Sequence, residues 1–268
     1  MGLLIDTHYH LYPSHRAGVA VRSLLANLDT IRRTGPGTEN DTEDDLAAIL
    51  LAIDATDPLA ALLKNRDSLH REGITLESDS ARGMLTCARD GITATLFPGR
   101  QFLSTERIEV IALGEMPAPA AAAPLSHILA SIEDAGCVAV VPWSPGRWTG
   151  KRGRIVNDAL AKRERGGVLL GEIALRPAFA PATRVHRGAG KRGAPFLYGT
   201  DPLPARGDER MGGRFATRFP ELDVASCTPS AVREEAARGR AFAAGSRNGF
   251  FEGAWRYARH FAGRAFGA

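Results

Sequence analysis

The chain has 268 residues, of which 44% are apolar and 24% charged, so it is long and apolar enough to form a packed core. These proportions argue against global disorder, and no run of about 18 apolar residues is present that would predict a membrane span. The net charge of +4 equals that of residues 229–268 alone, which hold seven arginines and three glutamates. A neutral body with a basic end is not typical of a dedicated nucleic-acid-binding protein.

The chain opens on a short apolar run, residues 2–5, that leads directly into Asp6 and predicts a buried strand. This run is too short for the apolar core of a secretory signal, so the sequence predicts a cytoplasmic protein. Apolar residues at helical spacing predict a helix over residues 19–31. Acidic residues at 41–43 then predict the start of a second helix, which continues to about Lys64.

A helix is predicted over residues 80–89, followed by a strand at 92–97 that Pro98 and Gly99 are expected to end. Further strands are predicted at 108–113, 137–142, 168–170 and 195–198, with helices at 125–135 and 155–165. Two arginine-rich helices, at about 230–244 and 248–265, are predicted to finish the chain. Strands that alternate with helices indicate a mainly parallel sheet of the α/β class, here in a single domain over residues 1–268.

Three polar residues, Asp6, His8 and His10, alternate at the end of the first predicted strand. Successive side chains of an extended strand point to opposite faces, so these three would share one face. In a parallel barrel that face points inward at the C-terminal rim, where active sites lie. Two neutral imidazoles and a carboxylate predict a divalent metal, Zn²⁺ by donor type, with Mn²⁺ or Fe²⁺ as alternatives. The other interpretation is a set of hydrogen-bonded polar residues that hold no metal.

Two acids, Glu172 and Asp201, each follow a short apolar strand and a glycine. In a barrel both would converge on the rim that carries the histidines, as metal ligands or as the base for a bound water. The competing interpretation is a helix cap or a turn acid, since Asp201-Pro202 also favours a turn.

Arginines follow two of the predicted strands and could hold an anion such as a phosphate or a carboxylate. The candidates are Arg147, Arg152 and Arg176. A solvated basic loop explains the same residues equally well. The basic C-terminal helices have two interpretations of their own: a solvated face, or a surface that docks a partner or forms an oligomer.

The opening Ile5-Asp6-Thr7-His8-Tyr9-His10 resembles the first-strand motif of two related groups, the amidohydrolase superfamily and the PHP (polymerase and histidinol phosphatase) family. Gly199-Thr200-Asp201 resembles their late-strand Gly-Ser-Asp, whose aspartate binds metal or takes a proton. The resemblance implies a TIM-like (β/α) barrel, seven-stranded or distorted, with metal at its C-terminal rim.

The chain departs from the PHP pattern at several strand ends. Gln101 stands where PHP proteins place a metal-binding glutamate, and Glu109 stands where a histidine would follow. Trp143 lies near the position of an expected His-Pro, and Pro202 follows Asp201 where the pattern continues toward a histidine. A single metal ion, held by His8, His10 and one or two acids, is what these residues support.

The sequence therefore predicts a metal-dependent hydrolase that acts on a small anionic substrate, with a phosphoester preferred slightly over an amide. His8 and His10 would bind the metal, Asp201 would be a ligand or the base, and Asp6 and Glu172 would be ligands or neighbours of ligands. The alternative hypothesis is a catalytically degenerate barrel that binds a ligand or a protein partner without turnover.

Overall fold

A computed structural model describes residues 2–35, 44–118 and 121–265. In the last helix, the description of side chains reaches Arg259 and leaves out Phe250 and Tyr257. The predicted helix start at 41–43 lies outside the described residues. The strands are β1 Leu3–Tyr9, β2 Asp45–Ile53, β3 Thr75–Asp79, β4 Met84–Arg89, β5 Ile92–Leu103, β6 Glu109–Leu113, β7 Val138–Pro142, β8 Leu169–Ile173, β9 Phe196–Gly199, β10 Phe215–Phe219 and β11 Phe242–Gly245. The helices are α1 Ala17–Thr34, α2 Pro58–Lys64, α3 Arg66–Arg71, α4 Leu125–Asp134, α5 Gly150–Ala161, α6 Arg184–Arg192, α7 Pro229–Ala237 and α8 Phe250–Ala265. None of the described helices combines the length and apolarity that a membrane crossing requires.

All of these strands belong to one sheet, with the order β11-β10-β1-β2-β5-β6-β7-β8-β9 and a β3–β4 hairpin attached to β5. The sheet is mixed and not mainly parallel: β1–β2, β2–β5, β7–β8 and β8–β9 are parallel, whereas the other six pairings are antiparallel. The connection from β5 to β6 explains part of this difference. It spans only residues 104–108, which is too short for the crossover that a parallel pair needs.

The sheet curves until β9 lies against β1 and β10, which nearly closes a barrel. Thr7 Oγ1 donates to the Tyr198 carbonyl at 2.9 Å, and the Tyr198 amide donates to Thr217 Oγ1 at 2.7 Å. The Asp201 amide donates to the His8 carbonyl at 2.8 Å. The predicted TIM-like barrel is confirmed, but its sheet has more than seven strands.

Three groups of buried apolar side chains stabilise the barrel. The interior is filled by alternate strand residues, among them Leu3, Ile5 and Leu169. Helix α1 packs on the outside against β1, β2 and β5, and α4, α5 and α6 pack outside against β6, β7 and β8. The barrel is therefore a packed core and not an open channel.

Several predicted helices are wrong. Residues 45–53 form β2, because the continuous apolar run there is buried on both faces as a central strand, a pattern that cannot be distinguished from a buried helix by periodicity. Residues 84–89 form β4, in which Leu85 and Cys87 alternate into the core. The predicted helix 230–244 ends at Ala237, since Gly239 adopts a positive φ of 78° and β11 follows. The predicted helix 155–165 is α5, shifted to 150–161.

Candidate metal centre

A bulge in β1 determines which side chains reach the rim. Asp6 pairs with Ala48 but Tyr9 pairs with Leu50, so three residues of β1 match two of β2. Ala48 and Leu50 share the outer face of β2, and Tyr9 packs with them in the outer core. The expectation that Asp6, His8 and His10 share one face is therefore wrong, because the strand does not stay regularly extended.

His8, His10 and Asp201 form the candidate centre. Their potential ligand atoms all lie within 4.8 Å of one another. The two Nε2 atoms are 3.1 Å apart, and Asp201 Oδ1 lies 3.4 Å from His8 Nε2 and 3.9 Å from His10 Nε2. Asp201 reaches this position from the turn after β9, where it adopts a left-handed φ of 53°, a conformation that aspartate tolerates better than most residues.

Both histidines are neutral in this environment. Burial lowers the pKa of His8 to about 4, opposed by the nearby Glu109 carboxylate. Burial likewise lowers the pKa of His10 to about 4, and the neighbouring His8 adds to the effect. Neutral imidazoles beside a carboxylate are the donor set that Zn²⁺ and related ions bind, so the chemistry of these residues fits a divalent metal.

Gln101 completes the group of polar atoms around His10. Its Oε1 lies 2.9 Å from His10 Nε2. The residue reaches the rim because β5 continues past Pro98 and Gly99 to Leu103, contrary to the prediction that these two residues end the strand. In β5, Gly99 and Gln101 alternate with Phe102, which packs outside the barrel, so Gln101 points inward.

Asp6 is buried completely and binds backbone groups. Its Oδ1 accepts from the amides of His8 and Thr200 at 3.1 and 2.9 Å, and its Oδ2 accepts from the Gly213 amide at 2.9 Å. Burial raises the pKa of Asp6 to about 6, although these hydrogen bonds oppose the rise. Asp6 thus ties β1 to the segments that carry Asp201 and β10, while its oxygens face backbone donors.

Glu172, at the end of β8, lies in a second buried polar cluster. Its Oε1 lies 2.5 Å from His186 Nε2, and its Oε2 accepts from Arg176 and Arg247 at 3.2 and 3.3 Å. The Thr183 amide donates to His186 Nδ1, so the proton of a neutral His186 resides on Nε2 and is donated to Glu172. The structure places Glu172 in this cluster and does not bring it into the group of His8, His10 and Asp201.

The three predicted substrate arginines have different surroundings. Arg147 forms an ion pair with Glu109, whose carboxylate interacts electrostatically with His8 and Asp201. Arg152 is exposed on α5 and donates to the Glu106 carbonyl at 2.9 Å. Arg176 is buried and donates to Glu172 and to the carbonyls of residues 180 and 181. Of the three, Arg147 alone is coupled to the candidate centre.

Helix α8 contributes a residue that sequence reasoning missed. The buried Arg256 donates to both carboxylate oxygens of Asp208, at 2.8 and 2.5 Å, and to the Asp201 carbonyl at 3.3 Å. Burial raises the pKa of Asp201, and electrostatic interactions with His10 and with the Arg256 guanidinium oppose that rise. Nothing in the arginine-rich pattern distinguishes Arg256 from its solvent-facing neighbours. By contrast, the alternation of β5 beyond Pro98 was a readable signal for Gln101.

No protein-family model matches this sequence, and no curated protein matches it. The fold does recur among solved structures. A two-domain protein from Bacteroides vulgatus ATCC 8482, described as containing a predicted PHP-like metal-dependent phosphoesterase, aligns with a TM-score of 0.50 at 12% identity, over 92% of this chain and 65% of that one. The fold is PHP-like. The resemblance inferred from the first-strand motif is thereby confirmed for the fold.

Two further structures align with this PHP-like fold. PsfC from Pseudomonas syringae PB-5123 has a TM-score of 0.55 and 16% identity, and the alignment covers 99% of this chain and 98% of PsfC. The lesion-specific endonuclease PfuEndoQ from Pyrococcus furiosus has a TM-score of 0.49 and 12% identity, over 89% of this chain and 56% of its own. The chain thus matches PsfC over nearly its whole length but spans only part of the other two proteins.

Proposed function

We propose that this protein is a metal-dependent hydrolase that acts on a small anionic substrate, with a phosphoester preferred over an amide. The observation that carries the proposal is the cluster of His8, His10 and Asp201 at the C-terminal rim of a PHP-like barrel. The metal predicted from the donor set is one Zn²⁺, with Mn²⁺ or Fe²⁺ as alternatives. The phosphoester preference is supported by the description of the Bacteroides protein and by Arg147 beside the site.

A divalent ion at this position would supply a Lewis acid and lower the pKa of a bound water toward neutrality. His8 and His10 would hold the ion, and Asp201 would provide the negatively charged ligand or accept a proton. Arg147 is placed to orient an anionic group, because its guanidinium lies at the rim with Glu109 holding it. For Glu172 we propose a positioning role in place of the catalytic role predicted from the sequence, because its partners are His186, Arg176 and Arg247.

The second candidate function is ligand binding without turnover. The ion pair between Arg147 and Glu109 and the approach of Gln101 to His10 both favour it, because they fill positions around the histidines with protein groups. A cytoplasmic location, a single domain over residues 1–268 and the lack of a dedicated nucleic-acid role stay predictions from the sequence.

Elemental analysis of the purified protein beside its His8→Ala/His10→Ala variant tests the proposal. We expect about one equivalent of zinc, manganese or iron in the wild-type protein and none in the variant. Wild-type protein with metal should then hydrolyse members of a phosphomonoester and phosphodiester panel. Absence of metal after reconstitution with each ion would contradict the hydrolase, whereas bound metal without turnover on phosphoester and amide panels would favour the second candidate.

A further inference from the structure

Four atoms converge at the rim, and one of them belongs to an amide side chain. These are His8 Nε2, His10 Nε2, Asp201 Oδ1 and Gln101 Oε1. The separations among them are 3.1 Å between the histidines, 2.9 Å from His10 to Gln101, and 3.4 and 3.9 Å from Asp201 to His8 and His10. Each atom carries a lone pair that a metal can accept.

These separations have the size that a tetrahedral metal site requires. Ligand atoms about 2.0–2.1 Å from Zn²⁺ lie about 3.3 Å from one another along the edges of a tetrahedron. Four of the six edges of that tetrahedron measure 2.9, 3.1, 3.4 and 3.9 Å, on either side of that value. Gln101 Oε1 therefore stands at the distance from His10 at which a fourth ligand is expected.

The position is fixed by the strand that carries it. Gln101 pairs with Ile53 of β2 and with Ile111 of β6, so its backbone is held on both sides by the sheet. The side chain is partly buried, and its oxygen is directed at His10. A group on a central strand keeps its place better than one on a loop.

We propose that the amide oxygen of Gln101 is the fourth protein ligand, at the position that a hydrolytic site leaves open for water. This inference rests on the metal centre proposed above. Catalytic zinc sites keep three protein ligands and an open position, whereas structural sites are closed by four. A neutral amide oxygen is a weak ligand, so water or an oxygen of an anionic substrate would displace it.

The charge of the ligand set agrees with this interpretation. Two neutral histidines, one carboxylate and one amide leave a divalent ion with a net charge of +1, whereas a carboxylate at position 101 would neutralise it. A positive centre attracts a phosphate oxygen in a site of low dielectric constant. Glutamine at position 101, in place of glutamate, therefore lowers the affinity of the site for the metal and retains its affinity for an anion.

Titrations of the metal-free protein with Co²⁺, followed by titration of the Co²⁺-loaded protein with inorganic phosphate, test the proposal. The visible absorption of Co²⁺ reports its coordination in both. Gln101→Met is nearly isosteric and removes the ligand oxygen, and Gln101→Glu adds a charged ligand. Asn65→Met, which changes an exposed amide between α2 and α3, is the matched control.

We expect Gln101→Met to bind Co²⁺ roughly tenfold more weakly and phosphate several-fold more tightly, because phosphate no longer has to displace an amide. Gln101→Glu should show the reverse of both changes, and Asn65→Met neither. If Gln101 only positions His10, Gln101→Met should weaken the affinities for both Co²⁺ and phosphate, and that result would overturn the proposal. Affinities and an absorption spectrum equal to those of the wild type would overturn it as well. A wild-type protein that binds no Co²⁺ would instead contradict the metal centre itself.

Discussion

At the scale of single residues, Asp6 accepts three hydrogen bonds from buried backbone amides and so holds β1 to the segments around Thr200 and Gly213. The spacing of Asp6, His8 and His10 predicted one ligating face, but the bulge in β1 separates the aspartate from the histidines. Two-residue periodicity holds only for a regular strand, and no feature of these residue types signals an extra residue in the ladder. The histidines and Asp201 could be predicted from the sequence, whereas the partners of Asp6, which lie at Thr200 and Gly213, could not.

The hydrogen bonds of Asp6 lead to a prediction that separates a positioning role from metal binding. Asp6→Ala leaves three buried backbone donors without an acceptor, so we expect it to destabilise the protein by about 3 kcal/mol or more. Asp6→Asn should cost less, about 1–2 kcal/mol, because one oxygen still accepts. Urea unfolding monitored by circular dichroism measures both changes.

The metal content of the same variants distinguishes the two roles of Asp6. Folded Asp6→Asn should retain its equivalent of metal, since both aspartate oxygens face backbone amides and not the histidine ring nitrogens. Loss of metal from a variant that is otherwise folded would show that Asp6 is a ligand.

At the scale of elements, the strands that lead to candidate site residues are predicted from the sequence better than the segments between them. The strands leading to His8, Glu172 and Asp201 lie close to their expected places, because each is a short apolar run followed by a polar residue. Strand β2 was mistaken for a helix because it is apolar throughout. The predicted strand at 92–97 is shorter than β5 because a proline lacks an amide donor and usually ends a strand. In the structure Pro98 nevertheless pairs with Leu50 and β5 continues.

Helix α8 has a structural role at the rim that its composition does not reveal. The side chain of Arg256 is 1% exposed and that of Asp208 is 4% exposed, and the Leu203 amide also donates to Asp208. Removing one member of a buried ion pair leaves the other charge uncompensated. This pair therefore connects the last helix to the turn that carries Asp201.

We expect Arg256→Met to destabilise the protein by roughly 3–5 kcal/mol and Asp208→Asn to do so to a similar degree. The double variant should be less destabilised than the sum of the two, because no buried charge is left unpaired. Thermal and urea unfolding of the four proteins gives the coupling energy. Additive effects would mean that α8 is not joined to the rim through this pair.

At the scale of the whole molecule, positive charge is concentrated in the middle of the chain as well as in its C-terminal region. Residues 147–192 contain twelve lysines and arginines and three acids, a net charge of +9, so the rest of the chain is net negative. Arginines of the C-terminal region pair with carboxylates, as Arg238 does with Glu234 and Arg256 with Asp208. A docking role for the C-terminal helices stays a prediction, while α5 and α6 carry a group of cations that form no ion pair among the described residues.

The exposed cations of α5 and α6 surround a groove of about 570 Å³ between the two helices. Arg184, Arg187 and Lys191 line it, and none of them forms an ion pair with a carboxylate of the described residues. Both helices begin after strands that end at the rim, so we expect their positive potential to act on an anion that approaches the candidate centre. A surface of this kind raises the local concentration of an anion, and salt screens the effect.

Reversing two of these charges should therefore weaken anion binding at a distance. For Arg184→Glu/Arg187→Glu we expect phosphate affinity of the metal-loaded protein to fall roughly two- to tenfold at low ionic strength and to approach the wild-type value at high salt. Arg66→Glu/Arg71→Glu makes the same change in net charge on α3, where both arginines are exposed and which packs on α1 instead of α5 or α6. An equal loss of phosphate affinity in both double variants would assign the effect to total charge. A loss that persists at high salt would indicate direct contact with the anion, because salt screens only the long-range field.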